Sequence, residues 1–181
     1  MNIAVYCASR FGDRPEYKEE AENIGFLIAK KGHSLVFGAS DTGLMGAVAN
    51  TVIDNGGKAI GVVPDIAEIK AVANKRLTET IFTPDLAHRR SKMIDLADAF
   101  ITLPGGIGTL DEISEIMCLS HLNVKAGPIV VLNTLGYYDS LKEFIDKANS
   151  SGFLPKDRFG TWFFAENAEE AMKIIENFEK N

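Results

Sequence analysis

Short apolar runs rich in Val, Ile and Phe alternate along this chain with longer stretches of helical period, and that alternation restricts the fold more than any other feature. Asn2 to Cys7, Ser34 to Phe37, Lys58 to Val63, Glu79 to Thr83, Ala99 to Leu103, Ile129 to Leu132 and Trp162 to Phe164 read as strands. Amphipathic segments separate them. From Pro15 to Gly32, Tyr17, Ala21, Ile24, Leu27 and Ile28 share one side, with Glu16, Lys18, Glu19, Glu20 and Glu22 elsewhere. Further helices are predicted from Leu44 through Val52 to a stop at Gly56-Gly57, over Asp85 to Asp98, from Thr109 onward, over Tyr138 to Ser150, and over Ala168 to Phe178. Asp65 to Leu77 has no clean period and reads as a loop with a short helical turn. Strand and helix in strict alternation predict an α/β fold: a doubly wound parallel sheet with helices on both faces. Such sheets bind ligands outside the carboxyl ends of their strands, where strand order reverses. Three loops rich in glycine or small polar residues belong at those ends, Ala8 to Gly12, Gly38 to Gly43 and Pro104 to Thr109, and are expected to converge on one pocket.

With 181 residues, 46% of them hydrophobic, the chain can fill one core, so a single domain over 1–181 is expected. The net charge of -6 and the lack of any Lys/Arg run argue against nucleic-acid or acidic-membrane partners. An anionic ligand should therefore be small and held locally. Cys7 and Cys118 stand alone, which fits reduced, buried thiols rather than a zinc site or a disulfide framework. The apolar run at MNIAVYCASR is too short for a signal peptide, and nowhere do eighteen apolar residues follow one another. A soluble, cytoplasmic protein is expected.

Chemistry concentrates in AFITLPGGIGTLDEISE, Ala99 to Glu115. A strand breaks into Pro104-Gly105-Gly106-Ile107-Gly108 and restarts as a helix whose apolar face is Leu110, Ile113, Ile116 and Met117. A glycine-rich loop at a helix N-terminus offers bare N–H groups at the positive end of the helix dipole, suited to a phosphate. Thr109-x-x-Glu112 is equally a capping box, and the local sequence leaves both readings open. Two familiar nucleotide motifs are missing. No GxGxxG follows the first strand, and Leu44 stands where the spacing of Gly38 and Gly43 would need a P-loop Lys, so these two glycines read as relieving a crowded turn. On the preceding helix, Leu86, Met93, Ile94 and Ala97 form a buried stripe that Arg89 and Arg90 interrupt. An arginine so placed needs a carboxylate or phosphate partner, whereas one that reaches the surface does not. His33, His88 and His121 have no spacing that implies a metal or a triad.

Gly43-Leu44-Met45-Gly46, Gly57, Ile60-Gly61-Val62-Val63-Pro64, Arg89-Arg90, Pro104 to Glu112 (PGGIGTLDE) and Gly136-Tyr137-Tyr138-Asp139 together resemble, in order, the Lonely Guy family, from Val5 to about Gly152. The resemblance implies a Rossmann-like homodimer that hydrolyses the N-glycosidic bond of adenine-type, often cytokinin, nucleoside 5'-monophosphates without a metal or redox cofactor. It implies that Arg89 and Glu112 are catalytic. The N–H groups of Gly105, Gly106, Gly108 and Thr109 are then expected to hold the 5'-phosphate, with Arg90 as an accessory phosphate or ribose contact and Ser9, Gly38 and Gly43 as further substrate-binding residues. An older description of the family as possible lysine decarboxylases fits poorly, since no lysine sits where a pyridoxal phosphate Schiff base would need one. The family's GGG after the second strand is Gly38-Ala39-Ser40 here, its CGSS-like turn is Cys7-Ala8-Ser9-Arg10, its Trp after the motif is Cys118, and Glu68 is the nearest acidic residue after the third strand. These departures bear on the base end of the pocket. The alternative is a nucleotide-binding or cofactor-carrier protein of the same fold without turnover.

Overall fold

The computed structural model describes residues 1–125, 127–154 and 161–178. Seven strands, β1 (Asn2–Tyr6), β2 (Ser34–Phe37), β3 (Lys58–Pro64), β4 (Glu79–Thr83), β5 (Ala99–Thr102), β6 (Ile129–Leu132) and β7 (Trp162–Ala165), form one sheet. Its order is β4-β3-β2-β1-β5-β6-β7, and every pairing is parallel. The doubly wound α/β architecture expected from the alternation is what the chain adopts. After β4 the chain returns past three strands to lay β5 against the free side of β1, with Ile3 opposite Ala99 and Tyr6 opposite Thr102. The strand order reverses there.

Helices α1 (Pro15–Lys30), α2 (Gly43–Asp54) and α7 (Ala168–Asn177) cover one face. Ile3, Val5, Leu35, Phe37, Ile101 and Leu132 point to that side, against Ile24, Ile28, Val48, Val52 and Met172. On the other face, Ala4, Tyr6, Val36, Phe100 and Val131 meet α4 (Leu86–Leu96), α5 (Ile107–His121) and α6 (Asp139–Ser150). Adjacent strand residues thus serve opposite cores, as the two-residue period of a strand requires. Each fully buried Ile or Leu contributes about 1.5–3 kcal/mol of transfer free energy, so both faces hold the sheet in place. A short helix α3 (Ala67–Ala71) supplies the helical turn expected within Asp65 to Leu77. Among the described residues, no helix is long and apolar enough to cross a membrane.

Four expectations change. The helix after β5 opens at Ile107 with Gly106 as its N-cap, not at Thr109. Thr109 therefore lies inside the first turn, and the capping box does not form. Leu86 and Leu110, expected in buried stripes, are each 42% exposed, because the buried faces run instead through Met93 and Ile94 on α4 and through Thr109, Ile113, Ile116 and Met117 on α5. Cys7 is buried as expected, whereas Cys118 is exposed on α5.

Candidate active site

At the carboxyl ends of β1 and β5 the backbone of two turns is stitched together. Leu103 N–H donates to Tyr6 O at 2.9 Å, Ala8 N–H to Pro104 O at 3.3 Å, and Met45 N–H to Ala8 O at 3.3 Å. Gly43 is required at the third contact. It has φ +59°, a left-handed conformation that side chains disfavour, and a Cβ there would overlap the backbone of Ser9 and Arg10. The turn after β5 is fixed from the other side by two tyrosines. Tyr138 Oη donates to Leu103 O at 2.9 Å and Tyr137 Oη to Gly105 O at 2.7 Å.

This turn leads directly into α5. Leu110 N–H donates to Gly106 O at 3.0 Å, the N-cap carbonyl, so helix geometry leaves the N–H groups of Ile107, Gly108 and Thr109 without acceptors in the helix. Gly108 and Thr109 belong to the wall of a cavity of about 330 Å³, lined also by Cys7, Ala8, Ser9, Arg10, Met45, Arg89, Gly106 and Glu112. The convergence expected of the three loops is realised in part. Ala8 to Gly12 and Pro104 to Thr109 both contribute walls, whereas the Gly38 to Gly43 loop acts from behind. A Cβ at Gly38 would lie 2.7 Å from Arg89 Cζ and overlap the guanidinium outright. Gly38 is the berth of Arg89.

Arg89 and Glu112 face each other across this cavity, each with a side chain 12% exposed, and Arg89 Nη2 donates to Glu112 Oε1 at a long 3.4 Å. Arg89 Nε is buried and has no hydrogen-bond partner. Burial pushes the Glu112 carboxyl up to about 7, with Arg89 opposing that rise and Asp111 adding to it. Glu112 thus sits near its titration point at neutral pH beside a permanent cation with donors to spare. Cys7 lies in the floor as a thiol, its pKa pushed up by burial first and by Glu112 second.

The other expected residues are distributed as follows. Ser9, Gly106, Gly108 and Thr109 line the cavity with Arg89 and Glu112. Gly105 lies on the far side of the turn, in the wall of a second cavity of about 710 Å³ that includes Phe11, Tyr17, Leu44 and Tyr137 and shares Ala8, Arg10 and Gly106 with the first. Arg90 is absent from both walls. It is held by Glu115, with Nε to Oε2 at 2.6 Å, and by Asp111, with Nη1 to Oδ2 at 3.0 Å. Both arginines thus have the carboxylate partners that their position on α4 demanded, and only Arg89 faces the cavity. Arg10 was not singled out in the sequence, where it reads as part of a turn, yet it lines both cavities.

Ala39, beside Gly38, is a left-handed residue with φ +68°. Its carbonyl accepts from Asn74 N–H at 2.8 Å, and Ser40 bridges to Ala73, which stabilises a left-handed residue against a cost on the order of 1–2 kcal/mol. Glu68 lies exposed on α3 and lines neither cavity. No lysine lines either cavity, and among the described residues no group of three or more His, Cys, Asp or Glu could hold a metal ion.

Residues 45–175 match the family described as possible lysine decarboxylase. The chain is 36% identical over 177 residues to cytokinin riboside 5'-monophosphate phosphoribohydrolase LOG7 of Arabidopsis thaliana, covering 98% of this chain and 82% of that protein. It is 35% identical over 176 residues to the probable cytokinin riboside 5'-monophosphate phosphoribohydrolase LOGL9 of Oryza sativa subsp. japonica, covering 97% and 78%. Among solved structures, the molybdenum cofactor binding protein of Rippkaea orientalis shares the fold at a TM-score of 0.72 and 20% identity, over 97% of this chain and 94% of that one. Near-full-length identity to the phosphoribohydrolases, with the family match over most of the chain, shows that this chain belongs to the Lonely Guy family, the group also described as possible lysine decarboxylases.

Proposed function

We propose that this chain, as one nucleotide-binding domain over 1–181, hydrolyses the N-glycosidic bond of adenine-type nucleoside 5'-monophosphates, cytokinin ribotides among them, to free base and ribose 5-phosphate. The observation that carries the reading is the Arg89–Glu112 pair facing the cavity beside the open N-terminus of α5. The 5'-phosphate lies against the N–H groups around Gly106, Gly108 and Thr109, where the helix dipole favours an anion. Gly105 shapes that turn, Ser9 closes it from the β1 side, and Gly43 keeps the β1 turn in place.

Breaking the bond leaves an oxocarbenium-like sugar and negative charge on the departing base. Glu112, one turn along α5 from the phosphate, stabilises the cationic sugar as a carboxylate and orients the attacking water. Arg89 donates to the base or its developing negative charge, an electrostatic role that leaves the guanidinium protonated throughout. The long Arg89–Glu112 contact suits this division, since a tighter pair would hold both groups for each other. Arg90 acts from outside the cavity by securing the first turns of α5 through Asp111 and Glu115.

The chain also works, in our reading, as a cytoplasmic homodimer. Phe82, Leu86, Ile107 and Leu110 are 69%, 42%, 82% and 42% exposed on or next to the elements that carry Arg89 and Glu112, an apolar surface suited to a second copy. The free Cys7 and Cys118 fit a reducing compartment.

Incubation with AMP and with isopentenyladenine ribotide tests the reaction: free base and ribose 5-phosphate in equal amounts are expected. Tight binding without product would replace this reading with that of a carrier.

A further inference from the structure

Five arginines lie among the described residues, and four have carboxylate partners: Arg14 with Glu16, Arg76 with Asp54, Arg89 with Glu112, and Arg90 with Glu115. The fifth, Arg10, has no side-chain hydrogen bond or ion pair among the described residues. Its place is not that of a stray surface charge. It lines both cavities where they join at Ala8 and Gly106, and its backbone is pressed against Gly43 at a site where no larger residue fits. The charged residues lining the smaller cavity are Arg10, Arg89 and Glu112. When Glu112 is ionised it offsets Arg89, and the surplus positive charge belongs to Arg10.

From this we infer that Arg10 is a specificity residue that reads the 5'-phosphate. Its guanidinium approaches the phosphate from the β1 turn while the α5 N–H groups approach from the opposite wall. The inference rests on the hydrolase reading above and adds to it the group that distinguishes a nucleoside monophosphate from a molecule lacking the phosphate. A planar fork of donors can hold two phosphate oxygens at once, and it adds a full charge to the partial one of a helix N-terminus. In a chain of net charge -6, a local cation also offsets the general repulsion of a doubly charged ligand. The larger cavity gives the exposed side chain room to swing over the phosphate as it enters.

Steady-state kinetics with AMP, combined with competitive inhibition by inorganic phosphate, test the assignment. For Arg10→Ala, KM for AMP and Ki for phosphate should both rise by roughly ten- to a hundredfold, the range of one charge-assisted hydrogen-bonding group, with kcat falling less than about threefold. Arg10→Lys should recover part of the loss. Arg14→Ala, which removes an arginine already paired with Glu16, should leave both constants unchanged. Unaltered KM and Ki in Arg10→Ala would overturn the inference, as would a loss confined to kcat. Should the wild type fail to hydrolyse AMP, the hydrolase reading falls, and phosphate affinity measured by calorimetry on wild type and Arg10→Ala still decides the role of Arg10. A tenfold weaker affinity in the variant supports it, and equal or undetectable affinity in both refutes it.

Discussion

Arg89 and Arg90 are neighbours on α4 with the same chemistry and opposite circumstances. Arg90 is fastened, at 2.6 Å from Glu115 and 3.0 Å from Asp111, with a side chain 24% exposed. Arg89 is more deeply buried yet less satisfied, with one long contact to Glu112 and an unpartnered Nε. A helix turns about 100° per residue, so consecutive side chains look in different directions. One serves the join between α4 and α5, and the other the cavity. The difference teaches that incomplete pairing, rather than burial or charge alone, separates a group available to a ligand from one that holds the fold.

Substitutions can sharpen or break this contrast. The largest effect is expected for Glu112→Gln, which should lower turnover by roughly a hundredfold or more while remaining folded. Wild-type turnover should rise through a pH near 7 as the carboxyl ionises, and the variant should lack that limb. The folded protein holds the Glu112 proton more tightly than the unfolded chain does. Its contribution to stability is therefore complete below about pH 4.5 and is lost as pH rises through about 7. Relative to Glu112→Gln, the wild type should lose about 3 kcal/mol of unfolding free energy between those limits, checked by urea melts at pH 4.5 and pH 8.

Next comes Arg89→Ala, with a loss in turnover of roughly a hundredfold, measurable at saturating AMP. Any residual activity should have its ascending limb moved above pH 7, since Arg89 opposes the burial that lifts Glu112. Gly38→Ala should cost about ten- to a hundredfold by dislodging the Arg89 guanidinium, with the circular dichroism spectrum unchanged. Smallest is Arg90→Ala. With its partners partly exposed, it should remove about 1 kcal/mol of stability, lowering Tm by roughly 2–4 °C, with turnover reduced only a few-fold. A collapse of turnover in Arg90→Ala equal to that in Arg89→Ala would end the distinction between the two arginines.

The sheet was legible because each strand carries its own signal: Ser34 to Phe37, Glu79 to Thr83 and Ile129 to Leu132 coincide with β2, β4 and β6. The rule that ligands bind where strand order reverses points to the gap between β1 and β5, beside which the Arg89–Glu112 cavity lies. The same local reasoning misjudged Thr109. A Ser/Thr-x-x-Glu pattern signals a helix start, but Gly106 can cap a helix as well, and the tyrosines gripping Leu103 and Gly105 fix the chain path so that the helix opens at Ile107. Leu86 and Leu110 satisfied the helical period, but the buried faces run through Met93 and Ile94 and through Thr109, Ile113 and Ile116, and periodicity does not encode which side of a helix end the core covers. Arg89 and Arg90 could be flagged as needing partners, yet which of them turned inward depended on Gly38 and Glu115, residues 51 positions before and 25 after. Arg10 escaped notice because a lone cation in a turn has no pattern. Its distinction is the missing carboxylate, which only the folded arrangement reveals.

The berth that Gly38 gives to Arg89 makes those two positions one heritable unit. An Ala at 38 would push the Arg89 guanidinium out of its present place, and Arg89 keeps that place only while 38 has no side chain. A change at 38 is therefore felt first at 89, through the position of one guanidinium. That coupling also gives a rule for redesign: pocket variants should keep Gly38 fixed for as long as Arg89 is kept.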